Sequence, residues 1–363
     1  MKINIASPQI GKEEIKAVTE VMKSGMLAQG PKVKEFEEKF AKYIGVKYAV
    51  ATSNGTTALE VALRAHKIGP GDEVITTPFT FIASANAILY TGARPVFIDI
   101  DEKTFNIDPA LIEKAITKKT KAILPVHLYG NACNMTEIMK IAKKHKLAVI
   151  EDACQAHGSE WKEKKVGSFG TGAFSLYPTK NMTVGEGGMV TTDSKEIYDL
   201  ANLIRAHGSH IRYYHDILGY NYRMTDMEGA IGVEQLKKLN KFNAARQKNA
   251  KFLNKSLSKI TGLIVPEPVK EAKHVYHQYT IRITADFPLK RDEVLAKLSE
   301  AGIGTAVFYP LPVNEQKIYK DLGYKMTTPI AAQISQEVLS LPIHPGLKQK
   351  DLDFIVKIFK KLS

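Results

Sequence analysis

The sequence predicts an α/β fold: a large domain with a mostly parallel seven-stranded sheet covered by helices, then a smaller C-terminal α+β domain. Three observations predict it. Short apolar runs alternate with amphipathic ones over the first two-thirds of the chain, the rhythm of repeated strand–helix–strand units. Runs such as AILPV and AVI are apolar throughout, which suits strands covered on both faces. The 363 residues exceed what one hydrophobic core ordinarily holds.

In chain order, the predicted strands are residues 48–52, 73–77, 95–100, 121–128, 147–151, 172–177 and 189–192. Helical periodicity fills several of the gaps, at residues 57–66, 109–115 and 135–145. A long helical pattern, roughly 225–258, then leads out of the sheet. Beyond it the strands thin to 276–283 and 338–341, with helices at about 291–301 and 349–362. The expected division falls at 245: residues 1–245, opening with a helical segment, form the large domain, and residues 246–363 the small one.

Composition narrows the function classes. Apolar residues make up 44% and charged residues 25%, as in ordinary soluble domains. No apolar run approaches the roughly 20 residues that span a bilayer, and the first residues lack a signal-peptide core. No membrane partner is expected. Two cysteines, Cys133 and Cys154, make neither a disulfide framework nor a metal cluster, so the expected home is the reducing cytoplasm and no metal is expected. The net charge of +13 suits an anionic partner, but lysine and glutamate interleave along helices, as in KEFEEKFAKY. With no basic block or nucleic-acid signature, a solvated lysine-rich surface is the simpler reading and no nucleic-acid partner is expected.

Ligands of open parallel sheets collect at the carboxyl ends of strands. After residues 48–52 come Ser53, Asn54, Gly55, Thr56 and Thr57, a tight turn into a helix. This is either an ordinary helix cap or a phosphate cradle, since helix N-termini bind anions and glycine admits close approach. After residues 147–150 come Glu151 and Asp152, of which strand alternation lets only one face a cleft. After residues 172–177 comes Lys180, with Ser175 in the same strand as a further phosphate donor. A lone lysine is ordinarily a solvated surface group. A phosphate cradle, a buried acid and a lysine at the ends of one sheet together match pyridoxal phosphate. That cofactor needs its phosphate held, its aldehyde bonded to an amine and its ring nitrogen kept protonated. Phe81 or Phe79 supplies an aromatic face for the ring.

The motifs SNGTTAL, TPFTFIASANAI, GARPVFIDID, PVHLYG, VIEDACQAHG, FSLYPTKNMTVGEGGMVTTD and GYNYRMTDMEGAIG follow one another in this order. In this the chain resembles the DegT/DnrJ/StrS family of sugar aminotransferases, pyridoxal phosphate enzymes of fold type I, over nearly its whole length. The resemblance implies roles. Lys180 is similar to the Schiff-base lysine and Asp152 to the partner of the ring nitrogen. Gln155 resembles the residue that touches the ring's phenolate oxygen. Ser175, Gly55 and Thr56 resemble the phosphate cradle, and Phe81 stands at the stacking position. Asn221, in GYNYRM, resembles an asparagine reaching the neighbouring subunit's site, which implies a homodimer with shared active sites. Family members with histidine in place of the lysine dehydrate sugars; Lys180 sets this chain apart from them.

The implied reaction moves an amino group from L-glutamate to a keto sugar, nucleotide-linked in the expected case, for amino-sugar and polysaccharide synthesis. Arg223 either holds glutamate carboxylates or forms a structural ion pair. His127 and His157 are substrate contacts or packed groups, and Glu186, Gly187 and Gly188 shape the loop after the lysine. Where the family often carries a G-x-x-V-H-Y-P-x-P-x-H motif, this chain has GTAVFYPLPVNEQ, with Phe308 and Asn314 at the histidine places. That leaves Tyr309 as the polar residue near the sugar. The alternatives are another pyridoxal phosphate reaction on the same fold, a dehydratase or lyase, or a non-catalytic cofactor-binding regulator.

Overall fold

The computed structural model describes residues 2–267 and 269–363. The main sheet has seven strands: β1 Tyr48–Thr52, β2 Glu73–Thr76, β3 Arg94–Phe97, β4 Thr120–Leu124, β5 Ala148–Asp152, β6 Thr171–Ser175 and β7 Gly188–Thr192. Their order is β1-β7-β6-β5-β4-β2-β3. Only β7 runs against its neighbours, antiparallel to both β1 and β6.

Helices cover both faces. They are α1 Lys12–Ser24, α2 Pro31–Ile44, α3 Gly55–Ala65, α4 Ala83–Tyr90, α5 Pro109–Ala115, α6 Met135–His145, α7 Lys195–Arg205 and the 32-residue α8 Asp226–Leu257. Successive strand residues enter opposite cores. Ala49, Ala51, Val149 and Met189 join a cluster with Phe36, Phe40 and Phe174. Val50, Ile150 and Val190 join another with Leu59 and Leu63. This two-sided burial is why the strands read as unbroken apolar runs.

Local chemistry sets the boundaries. Asn54 caps α3, accepting from Thr57 N at 2.9 Å, so the helix starts at Gly55 rather than at residue 57. Thr225 and Glu228 form a capping box that starts α8. Strand β4 ends at Leu124, short of the expected residue 128, because Pro125 has no N–H to continue the ladder. The strand expected from residue 276 begins at Tyr279, since Tyr276 sits at φ 47°, outside the β region.

Past the main sheet, Tyr279–Ile283 pairs with Leu263–Ile264 on one side and Val338–Leu341 on the other. This small sheet packs with Leu253 and Leu257 of α8 and with Ile355 and Phe359 of the last helix, Gln349–Leu362. Ile3 joins the same core through a bridge to Ile303. Helix α8 thus touches α1 and α2 near its start and the small sheet's core near its end. Among the described residues no helix is long and apolar enough to cross a membrane, and no group of three or more His, Cys, Asp or Glu is placed to hold a metal.

Candidate active site

A cavity of about 1050 Å³ opens at the carboxyl ends of β1, β5 and β6. One rung of the sheet explains why its walls meet. Gly188 of β7 is the register partner of both Thr52 in β1 and Ser175 in β6. The turn after Thr52 and the end of β6 are therefore brought together across a single strand.

The turn supplies the start of α3. Two glycines let it approach. A Cβ on Gly55 would lie 2.6 Å from the Cβ of Ser175, and one on Gly188 would lie 2.1 Å from the carbonyl oxygen of Asn54. Helices leave their first N–H groups unused, so the amides of Gly55 and Thr56 are free to bind an anion beside the Ser175 hydroxyl. All three residues line the cavity.

Strand β5 delivers the acids. Asp152 is 4% exposed and faces the cavity. Its Oδ2 accepts from Ser84 Oγ at 2.6 Å, its Oδ1 from Cys154 N at 3.1 Å. Glu151 points the other way. It accepts from Gly167 N, Phe169 N and Gly170 N at 2.8–3.0 Å and contacts His127 Nε2 at 3.1 Å. Because His127 Nδ1 accepts from Cys133 N at 3.0 Å, its proton sits on Nε2. His127 and Glu151 thus form a buried structural network, and Asp152 is the acid left for chemistry.

Lys180 stands on the loop between β6 and β7 and lines the same cavity. Burial pushes its ammonium below the usual lysine range, while Cys154 and Asp152 pull the other way. Gln155 is oriented by its neighbours. Its Oε1 accepts from Tyr129 N at 2.9 Å, so its Nε2 faces the cavity and donates to Tyr309 Oη at 3.2 Å. Tyr129 also donates its hydroxyl to the carbonyl of Phe308, tying this wall to the segment that carries Tyr309.

Phe81 lies at the mouth, its ring centroid 6.3 Å from that of Tyr309. Phe79 is fully buried behind, packed with Phe105 and Tyr129. Phe308 and Tyr309 line the cavity, whereas Asn314 is buried away from it, donating to Met326 O. His157 is also buried outside it, packed on Phe174 with ring centroids 5.4 Å apart, and desolvation lowers its pKa to about 3. Glu186 reaches the rim. Asn221 and Arg223 are exposed and do not line this chain's cavity, while Tyr222 between them does, its hydroxyl donating to Glu60 at 3.1 Å.

The model of the DegT/DnrJ/EryC1/StrS aminotransferase family matches residues 8–360. The chain belongs to this family. It is 45% identical over 354 residues to a Geobacillus stearothermophilus protein named pleiotropic regulatory protein, covering 96% of this chain and 94% of that one. It is 40% identical over 361 residues to the GDP-perosamine synthase of Caulobacter vibrioides, covering 98% and 96%. The crystal structure of S. venezuelae DesV superposes with a TM-score of 0.92 at 36% identity, covering 96% and 94%. The protein is an aminotransferase, and its cofactor is pyridoxal phosphate.

The aminotransferase cavity fits that group. Glycine at 55 keeps open a cradle that any side chain would fill, an acid and an amine of depressed basicity share the pocket, and an amide donor faces it from Gln155. The sequence reading missed Ser84, Tyr129, Tyr222 and His277. Ser84 lies in the quoted motif TPFTFIASANAI, but nothing in that stretch marks its hydroxyl as a partner of Asp152. Tyr222 lay between two chosen residues, and strand-like alternation there exchanges which of the three faces inward.

Proposed function

We propose that the enzyme transfers the amino group of L-glutamate to a keto sugar carried on a nucleotide diphosphate. The observation that carries this reading is the convergence of Lys180 and Asp152 on one cavity beside the cradle of Gly55, Thr56 and Ser175. Bound pyridoxal phosphate supplies an electron-accepting ring that stabilises charge on the carbon losing its proton. Asp152, fixed by Ser84 and Cys154 N, would hold the ring nitrogen protonated. The cradle would hold the phosphate, Gln155 Nε2 would donate to the ring oxygen, and Phe81 would cover one face. Lys180 Nζ anchors the cofactor between turnovers. Once free, it would act as the acid–base group, taking the proton from the donor α-carbon and delivering one to the sugar carbon. Its lowered basicity favours the neutral amine this needs.

The nucleotide link is supported by the name of the Caulobacter relative, and the shared dimeric site by charge. Among the lining residues Lys180 and His277 are the basic groups, against Glu60, Asp152 and Glu186. Burial drives the His277 pKa well below its usual value, so that ring is neutral. An anionic sugar nucleotide and a dicarboxylate donor need cations from elsewhere. Arg223, exposed and outside its own cavity, would supply such a cation to a second copy, with Asn221 as a neutral donor beside it, and Tyr309 would be the sugar's polar neighbour. The regulatory name of one relative does not outweigh an intact lysine and acid.

The test follows the cofactor's absorbance. L-glutamate should convert the bound cofactor to its amino form with release of 2-oxoglutarate, and nucleotide-linked keto sugars, not free ones, should reverse the change. Glutamate conversion without reversal by any sugar in the panel would remove the sugar assignment.

A further inference from the structure

The net charge of +13 is concentrated in one region that the transamination site does not use. From Gln235 to Pro266 the chain has eight basic residues and no acid. Lys237, Lys241, Lys248, Lys251 and Lys255 recur along α8 at spacings that place them within an arc of about 80° over about 27 Å of helix. All five are exposed. Lys237 is paired with Glu234, and among the described residues none of the other four forms an ion pair. Just past the helix, exposed Lys259 continues the line.

At its far end the stripe runs into a groove of about 790 Å³ between α8 and the last helix. Its walls carry Lys255, Lys259 and Lys360, and an adjoining hollow adds Lys357 and Lys361. Apolar surface from Phe252, Ile260 and Pro288 lines the groove. The acids at this end are Asp286 and Asp353. Eight exposed ammonium groups along α8, the groove and its hollow, with no ion pair among the described residues, repel one another; Lys255, Lys360 and Lys361 stand in last helical turns, where the helix dipole offsets only part of that repulsion.

We propose that this stripe and groove form a docking surface for an acidic amphipathic helix of a partner protein. A straight lysine row of about 27 Å matches a helix of about 18 residues laid alongside it. Carboxylates on that helix pair with the row, and its apolar residues enter the groove. A bilayer surface is flat and does not fill a concavity, and a nucleic-acid backbone offers no apolar group to the groove. The surface lies away from the cavity at the strand ends, so binding leaves the transamination chemistry intact.

The full-length holoenzyme is titrated against a fluorescent 21-residue peptide with glutamates on one face and leucines on the other. Parallel titrations use the same peptide with glutamine for glutamate, a random 20-base-pair duplex and phosphatidylserine vesicles. The acidic peptide is expected to bind best, more tightly at low salt. Lys248→Glu, Lys255→Glu and Lys360→Glu together should weaken it about tenfold or more. Lys103→Glu, Lys118→Glu and Lys146→Glu, an equal charge change elsewhere, should leave it nearly unchanged. Both triple variants should keep full transaminase activity, which reports intact folding. Equal weakening by both sets, no binding, or tighter binding of duplex or vesicles each overturns the proposal.

Discussion

Ser84 Oγ donates a 2.6 Å hydrogen bond to Asp152 Oδ2, joining the start of α4 to the end of β5 across 68 residues of sequence. Ser84 in turn meets Thr80 Oγ1 at 2.9 Å. The carboxylate is thereby held in one rotamer. Asp152→Asn should retain cofactor yet lose about 10²- to 10³-fold in kcat, the scale of a lost preorganised charge. Ser84→Ala leaves the acid in place but frees it, and should cost roughly ten- to a hundredfold, the worth of a hydrogen bond to a charged group. Single-turnover kinetics with glutamate check both; a Ser84→Ala enzyme at wild-type rate would show that Asp152 needs no such support.

Lys180→Ala should abolish transamination and the covalent link to the cofactor. Borohydride reduction followed by mass spectrometry of the peptide spanning residue 180 reads this directly. Cofactor fixed at one site in the variant would place the anchor on another residue.

Gly55→Ala tests the cradle. The new methyl would lie 2.6 Å from the Ser175 Cβ, with the Ser175 Cα at 3.1 Å behind it. Either α3 or β6 must shift, at a cost of about 1–3 kcal/mol for overpacking. Cofactor affinity should fall with the melting temperature, and inorganic phosphate should no longer compete with the cofactor.

Acid should destabilise the protein through its buried histidines. Burial lowers His157 from 6.5 to about 3 and takes His277 well below 6.5. The folded state therefore binds fewer protons than the unfolded one. The stability they contribute is complete above pH 6.5 and is lost as pH falls through the window toward the folded values. Each group accounts for up to about 1.4 kcal/mol per pH unit there. Denaturant midpoints at stepped pH should fall below 6.5, and His157→Gln should flatten that slope whatever its own stability.

The fold was legible wherever burial left a one-dimensional trace. All seven strands of the main sheet announced themselves because both faces are covered, and α5 and α6 because aspartate or asparagine caps precede an amphipathic run. Strand ends were misplaced where a backbone property intervened, as at Pro125 and Tyr276. In the site, Lys180, Asp152 and the Gly55 turn could be read because each lies at or just past the end of a strand. What could not be read was support arriving from a distance: the hydroxyl of Ser84, the amide of Tyr129 that orients Gln155, and the Gly188 rung. Such contacts depend on register between strands, which apolar periodicity does not encode.

The single reversed strand has a consequence for moving this chemistry elsewhere. Residues 176–187 join the antiparallel pair β6 and β7, so the connection leaves and re-enters the sheet at neighbouring strand ends. Here Leu176 N donates to Gly187 O at 2.8 Å and Val184 N to Leu176 O at 3.0 Å, so the lysine rides on a closed ring of chain knotted at its base. A graft that copied the loop without both flanking strands would carry the amine but not its aim, and a cut anywhere in the ring should leave the nucleophile on a loose tether.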